Sequence, residues 1–339
     1  MSSAQKIWAQ LPPLPREMLV EQVRKYESAG LEGIWSSQTF GAPFVPLAAA
    51  AAVSSKIKLG TGIALAFTRS PLETACNAMD LDLISDGRLV LGLGSSAKML
   101  IDAFGMEYGK PLKHMREVIW MVRQLIAKGY TGELGELKGD YHQLDLRHFR
   151  TLSPPLRSVI PIYMPAVFEN ACQMAGELAD GLLGHPLWCD RWIRDKVLQN
   201  VDEGLKKTGR ARADVDINLS VFVAINNDKR EAIEDSRANI AFYSQSDQYY
   251  RYFEYIGFGD EAKAVQAAYA RGDLAAAAAA CSDEMVEAIA LVGPEDEVRK
   301  RMAKRTVSVD AITPVIPHFG LSAEKAAFYL DGIARCFYR

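Results

Sequence analysis

The sequence predicts a (β/α)8 TIM barrel, and three observations support this fold class. Eight short apolar runs alternate with stretches whose apolar residues have helical spacing. The runs are apolar almost throughout, as expected for parallel strands that are buried on both faces. The chain has 339 residues, enough for a barrel of about 250 residues with insertions. An open doubly wound sheet is the alternative architecture.

The order of the elements follows from these patterns. Strands are predicted over residues 6–11, 33–37, 56–65, 88–96, 161–167, 180–187, 217–225 and 309–317. Helices are predicted over residues 15–29, 46–55, 71–85, 112–128, 169–179, 190–207 and 322–336. Gly30 is a typical stop after the first helix, and Pro71 stands in a first helical turn, where its missing N–H has no partner to lose.

Two stretches interrupt the alternation. Residues 129–160 are polar and rich in turn-forming residues, and residues 240–290 have the pattern of extra helices. Both are interpreted as insertions into barrel loops. The sequence therefore predicts a single domain over residues 1–339 with two insertions.

Composition and charge exclude several classes of function. Hydrophobic residues make up 49% of the chain, charged residues 24%, and the net charge is −3, which are globular values without a basic stripe for nucleic acid. The first residues lack the apolar core of a signal peptide, and no apolar run is long enough to span a membrane. The 5 cysteines are scattered without a CxxC or zinc spacing. We expect a cytoplasmic protein without a metal site.

The carboxyl ends of the strands form the active-site face of a (β/α)8 barrel. Small or polar residues stand at these ends: Ser37, Gln38, Thr68, Arg69, Gly94, Ser95, Ala166, Val167, Gly184 and His185. Small residues leave room for a flat ligand to approach the backbone. Arg69 is a candidate partner for an anionic ligand group, or equally for a surface carboxylate.

Catalytic motifs are few. GLGSSA (92–97) fits a dinucleotide-binding pattern but stands in the fourth βα unit, without the acidic residue that usually follows about 20 residues later. GxSxG and HExxH motifs are absent from the sequence. Among the 5 histidines, His185 is a candidate proton donor or a structural residue, whereas His114 and His142 are expected to be solvated. A cofactor is therefore expected to supply the chemistry.

Several segments resemble the bacterial luciferase-like flavin and deazaflavin oxidoreductases. They are KYESAGLEGIWSSQ (25–38), KIKLGTGIALAFTRSPLETACNAMDLDLISDGRLVLGLGSS (56–96), YMPAVFENACQMAGELADGLLGHP (163–186) and LVGPEDEVRKRM (291–302). The chain is most similar to the branch that uses coenzyme F420, a 5-deazaflavin, and AFYSQSDQYYRYFEYIGFG (241–259) belongs to that similarity.

The resemblance implies a tricyclic ring bound in the barrel mouth and a non-proline cis peptide at Gly62–Ile63. Gly62, Ile63 and Ala64 would then lie behind the ring, and Thr68 and Arg69 would face the cofactor tail or the substrate.

The resemblance further implies that the tail phosphate would lie near Val167, Phe168 and Glu169. Where relatives have an acid and a histidine after the second strand, this chain has Gln38 and Gly41. Gln38 can form hydrogen bonds but cannot transfer protons, so either His185 has that role or no protein acid is needed.

The sequence thus predicts hydride transfer between a small organic substrate and F420, catalysed by a protein that is a homodimer. An FMN-dependent monooxygenase and a non-catalytic cofactor-binding barrel subunit are the alternatives. Phe40, Phe44 and Phe67 are interpreted as lining an apolar pocket or as core residues. The insertion that carries Tyr249, Tyr250, Tyr252 and Phe253 is interpreted as a lid or a dimer surface.

Overall fold

The computed structural model of the chain describes residues 6–38, 41–150, 153–305 and 309–338. The strands in these residues are β1 Lys6–Gln10, β2 Gly33–Ser36, β3 Lys58–Thr61, β4 Ala64–Leu65, β5 Leu89–Gly94, β6 Glu136–Lys138, β7 Gln143–Asp145, β8 Ile162–Ala166, β9 Gly181–Gly184, β10 Asp216–Ile225, β11 Leu291–Gly293 and β12 Ala311–Val315.

The α-helices in the same residues are α1 Arg16–Ser28, α2 Phe44–Ala51, α3 Pro71–Ile84, α4 Lys98–Ala103, α5 Pro111–Lys128, α6 Glu169–Leu178, α7 Asp190–Trp192, α8 Leu198–Thr208, α9 Lys229–Ser244, α10 Asp247–Ile256, α11 Gly259–Ala270, α12 Leu274–Ala279, α13 Asp283–Ile289, α14 Glu295–Arg305 and α15 Ala323–Phe337. A π-helical turn, Ile193–Val197, joins α7 to α8. Among the described residues, no helix combines the length and the apolar character that crossing a bilayer requires.

Eight of the described strands close into a barrel. Their order around the ring is β1, β2, β3, β5, β8, β9, β10 and β12, and β12 pairs again with β1. The registered pairs in this ring are parallel. The predicted (β/α)8 barrel is confirmed, and it places the carboxyl end of every strand at one face.

Three features differ from the sequence prediction. The run predicted as one strand over 56–65 is broken between β3 and β4. The insertion at 129–160 contains an antiparallel hairpin, β6–β7, with Leu137 opposite Leu144. A short extra strand, β11, pairs with the end of β10 after the second insertion. Each missed strand has 3 residues, too few for an alternating pattern to be recognised.

Internal contacts divide the chain into two compact units. Among the described residues, the large unit comprises residues 8–183 and 200–217, and the small unit comprises residues 6–7, 184–199 and 218–338. In the large unit, the Trp8 and Trp35 rings stack with centroids 4.0 Å apart. In the small unit, the extra helices predicted over 240–290 are present as α10–α13, and Tyr252 and Phe253 on α10 are fully buried.

Candidate functional site

The peptide bond between β3 and β4, Gly62–Ile63, is cis, as the family resemblance predicts. The backbone N–H of Gly62 donates to the carbonyl of Ser36 at 2.8 Å, and the N–H of Gln38 donates to the carbonyl of Ile63 at 3.1 Å. These two bonds attach the segment to the end of β2. The break in the strand is therefore a defined connection between neighbouring strand ends.

This segment is accessible, unlike the chain that follows it. Gly62 and Ile63 are half-buried, whereas Ala64 and Leu65 are almost completely buried. The exposed Ser37 donates its hydroxyl to the Gly62 carbonyl at 2.7 Å. Together, Ser37, Gly62 and Ile63 form a small accessible surface at the carboxyl end of β3 that a flat ligand could contact.

Two glycines allow the close packing behind this surface. A Cβ atom added at Gly62 would lie 2.8 Å from Cβ of Trp35. One added at Gly94, at the end of β5, would lie 2.3 Å from Cδ1 of Ile63 and 2.5 Å from Cγ of Pro165. Real Cβ atoms do not lie this close to other atoms, so the end of the Ile63 side chain and the Pro165 ring would both have to shift. Gly94 therefore permits the observed packing of Ile63.

Gln38 connects the two predicted polar residues after β4. Its Oε1 atom accepts from the backbone N–H of Leu65 and from Nη1 of Arg69, each at 3.0 Å. Its Nε2 atom donates to Oγ1 of Thr68 at 3.3 Å. Gln38 is 8% exposed. The structure thus brings Gln38, Thr68 and Arg69 together, and Gln38 is a positioning residue for the other two.

Arg69 is held mainly by uncharged groups. Its side chain is 9% exposed, and its only described carboxylate partner is Glu73, with Nε and Oε1 3.8 Å apart. Glu73 is 59% exposed, so solvent screens this pair. Burial lowers the pKa of Arg69, and Glu73 raises it in part. A guanidinium with little compensating charge is suited to an anionic ligand group.

The two described phenylalanines of the predicted pocket, Phe44 and Phe67, are 6% and 1% exposed. The Arg69 guanidinium lies over the Phe44 ring, 5.6 Å from its centroid. Phe40, the third, lies outside the described residues. Phe67 is therefore a core residue, which is one of its two predicted roles. Phe44 packs against the guanidinium of Arg69.

The prediction that His114 and His142 are solvated is wrong. His114 is 3% exposed, and its ring stacks between Phe67, at 3.8 Å, and Tyr141, at 4.1 Å. Burial lowers the pKa of His114. His142 is half-buried, with Nδ1 3.1 Å from the Glu117 carboxylate. These residues connect the first insertion to α5.

The ends of β5 and β8 contribute less to the candidate site than the end of β3 does. Ser95 is half-buried, Ala166 is 3% exposed and Val167 is half-buried. Glu169 begins α6, and a carboxylate in a first helical turn disfavours a second anion at that helix end. The phosphate position near Val167, Phe168 and Glu169 stays a prediction, and the charge of Glu169 opposes it.

His185 directly follows Gly184, the last residue of β9, in the small unit. Its Nδ1 atom accepts from the backbone N–H of Leu187 at 3.3 Å, which leaves the proton of a neutral ring on Nε2. The rings of Tyr243 and Tyr249 lie 4.9 and 5.6 Å away. Burial lowers the pKa of His185 to about 3. His185 is therefore a neutral imidazole at physiological pH.

The aromatic residues of α10 fall into two groups. Tyr252 and Phe253 are 0% exposed, and the Tyr252 hydroxyl bonds the Leu187 carbonyl and accepts from the N–H of Cys189. They are core residues of the small unit, so neither can belong to a dimer surface, whereas the lid stays a prediction. Tyr249 and Tyr250 are half-buried, and Tyr249 instead contacts His185.

Comparison with known proteins assigns the family of the chain. The model of the luciferase-like monooxygenase family matches residues 3–309. The chain belongs to this family. The described residues bring no three His, Cys, Asp or Glu side chains together as potential metal ligands.

The similar proteins include one that is named as an F420-dependent oxidoreductase. A Mycobacterium tuberculosis protein described as uncharacterized is 33% identical over 85% of this chain and 87% of its own length. A putative coenzyme F420-dependent oxidoreductase of the same organism is 27% identical, covering 87% and 88%. The 5,10-methylenetetrahydromethanopterin reductase of Archaeoglobus fulgidus is 27% identical, covering 93% of each chain.

Among solved structures, the coenzyme F420-dependent tetrahydromethanopterin reductase of Methanopyrus kandleri superimposes with a TM-score of 0.81 at 25% identity, covering 98% of each chain. This likeness extends over nearly the whole length of both chains.

Proposed function

We propose that the protein transfers a hydride between a small organic substrate and coenzyme F420. The observation that carries the proposal is the accessible surface of Ser37, Gly62 and Ile63 at the cis peptide. It occurs in a chain whose relatives include proteins named for F420. When bound, a deazaflavin supplies a carbon that accepts or gives a hydride.

The residues of the β3 end fit a flat ring with an anionic tail. Gly62 and Ile63 present backbone and an aliphatic side chain, and Gly94 keeps Ile63 in place from behind. Arg69 offers a guanidinium with little local compensation. We assign cofactor contacts to Ser37, Gly62, Ile63, Ala64, Thr68, Arg69, Gly94, Ser95, Ala166, Val167, Gly184 and His185.

Gln38 contributes by holding Arg69 and Thr68. Its amide cannot gain or lose a proton at physiological pH, and both its polar atoms contact the protein. We therefore propose that Gln38 acts on the reaction through the position of Arg69 and not as a proton donor.

His185 is our proposed hydrogen-bond donor to the substrate. Because burial lowers its pKa to about 3, it cannot act as a stored imidazolium acid at neutral pH. A neutral ring with its proton on Nε2 can still donate a hydrogen bond to an oxygen whose charge increases during hydride transfer. This role suits an alcohol or carbonyl substrate.

An anaerobic turnover assay tests the proposal. Oxidised F420 is mixed with a panel of alcohols, and reduced F420 with carbonyls and activated double bonds, while cofactor absorbance is followed. Turnover with F420 and at least one substrate is expected. Turnover only with reduced FMN and oxygen would contradict the proposal and favour the monooxygenase, and F420 binding without any turnover would favour the non-catalytic subunit.

A further inference from the structure

A cavity of about 330 Å³ in the small unit has a strongly cationic lining. It lies beside the C-terminal end of α13. Its charged lining residues are Arg191, Arg301, Lys304, Arg305, Asp190 and Glu287. Four cations thus face two carboxylates.

Arg305 is fully engaged with the protein. Its Nη1 and Nη2 atoms donate to the carbonyls of Ile289 and Ala288, at 2.6 and 3.0 Å, at the end of α13. Its Nε atom donates to Asp190 at 2.9 Å. This arrangement has an ordinary structural explanation, because cations stabilise helix C-termini.

Stabilisation of the C-terminus of α13 explains only some of the contacts of Arg301. Its Nη2 atom donates to the carbonyls of Glu287 and Ala290. Its Nη1 atom is buried, and among the described residues it has no hydrogen-bond partner. Buried donors are nearly always paired. Burial lowers the pKa of Arg301, and the neighbouring charge of Arg305 lowers it further.

The two carboxylates of the lining are already used by other cations. Asp190 is paired with Arg305 at 2.9 Å, and Glu287 with Lys229 at 3.1 Å. Lys304 is exposed, and within the described part of the chain no carboxylate pairs with it. Among the described residues, neither Arg301 nor Lys304 pairs directly with a carboxylate, although the charges of Glu287, Glu297 and Asp190 partly offset that of Arg301.

We propose that this cavity binds a small oxyanion, the phosphate or carboxylate group of a metabolite, through the ammonium of Lys304 and the guanidinium of Arg301, whose unpaired Nη1 atom turns toward the bound group. An oxyanion accepts charge-assisted hydrogen bonds from both groups and offsets the repulsion between the two arginines. The volume accommodates such a group with a short organic scaffold. This inference does not depend on the identity of the coenzyme.

The test is calorimetric titration of the full-length chain with inorganic phosphate and, separately, with malonate, at constant ionic strength. Binding of phosphate or of malonate is expected, and the tighter of the two identifies the group. Lys304→Gln and Arg301→Gln should each weaken binding about tenfold or more. Because Arg301 also bonds the end of α13, the exposed Lys304→Gln variant decides the result if Arg301→Gln does not fold.

Lys300→Gln is the matched control, because Lys300 is exposed on the same helix and does not line the cavity. The affinity of the Lys300→Gln variant for phosphate or malonate should stay within about twofold of wild type, because remote surface charges are screened. The proposal is overturned if the folded wild-type chain binds neither anion, or if Lys300→Gln weakens binding as much as Lys304→Gln.

Discussion

The Oε1 atom of Gln38 accepts a hydrogen bond from the Arg69 guanidinium at 3.0 Å, and the same oxygen accepts from the N–H of Leu65. A single uncharged side chain therefore joins the ends of β2 and β4 and fixes the direction of a cation. The polar atoms of Gln38 therefore hold Thr68, Leu65 and Arg69 in position.

Replacing Gln38 with leucine should destabilise the protein. The N–H of Leu65 and the buried guanidinium of Arg69 would lose their shared acceptor, at a cost of about 1–3 kcal/mol in the free energy of unfolding. Gln38→Glu keeps an acceptor for both donors and should lose less. Urea denaturation of the three proteins measures the difference, and equal stability of Gln38→Leu and wild type would refute the role.

Gly94→Ala should weaken binding of F420 by about tenfold or more. Its new Cβ would lie 2.3 Å from Cδ1 of Ile63, so the Ile63 side chain must move, and overpacking of this kind costs about 1–3 kcal/mol. Fluorescence titration with F420 measures the affinity. Gly41→Ala is the control, because a Cβ there meets no atom within 4 Å; similar affinities for the two variants would argue against the β3 end as the ring site.

His185→Ala should lower turnover by roughly 10²–10³, because it removes the Nε2–H donor to the developing oxyanion. His185→Gln restores an N–H donor and should recover part of the rate, whereas a purely structural histidine would show parallel losses of rate and stability. Turnover and thermal unfolding are measured on the same preparations. An unchanged turnover in His185→Ala would remove this role.

Stability should fall in acid because the folded protein holds the half-buried His185 in its neutral form. Its pKa is about 3 in the folded protein and about 6.5 in the unfolded chain. Between these values the unfolded state binds one more proton, so the free energy of unfolding rises with pH by about 1.4 kcal/mol per unit from this group. Its contribution is complete above pH 6.5 and is lost as the pH falls toward 3.

Urea denaturation at several pH values between 4 and 7 measures this slope. His185→Asn should have a smaller slope than wild type, whereas His148→Gln, a change at an exposed residue, should keep the wild-type slope. Identical slopes for His185→Asn and wild type would show that His185 is not the group concerned.

The barrel could be predicted because its strands are continuous apolar runs separated by helical patterns, a signal carried by many residues. The cis bond at Gly62–Ile63 could be predicted only from the family resemblance, because a single peptide bond leaves no periodic pattern in the sequence. His114 was placed wrongly although Val118 and Val122 follow it at four-residue intervals on the buried face of α5; that spacing indicates burial. The bonds of Gln38 depend on how β2 and β4 meet, which no local pattern contains.

The most direct test of the central claim is titration of the purified protein with F420 and, separately, with FMN, followed by quenching of cofactor fluorescence. The account predicts that F420 binds tightly and that FMN binds much more weakly. Tight binding of FMN with no binding of F420 to the folded protein would contradict it.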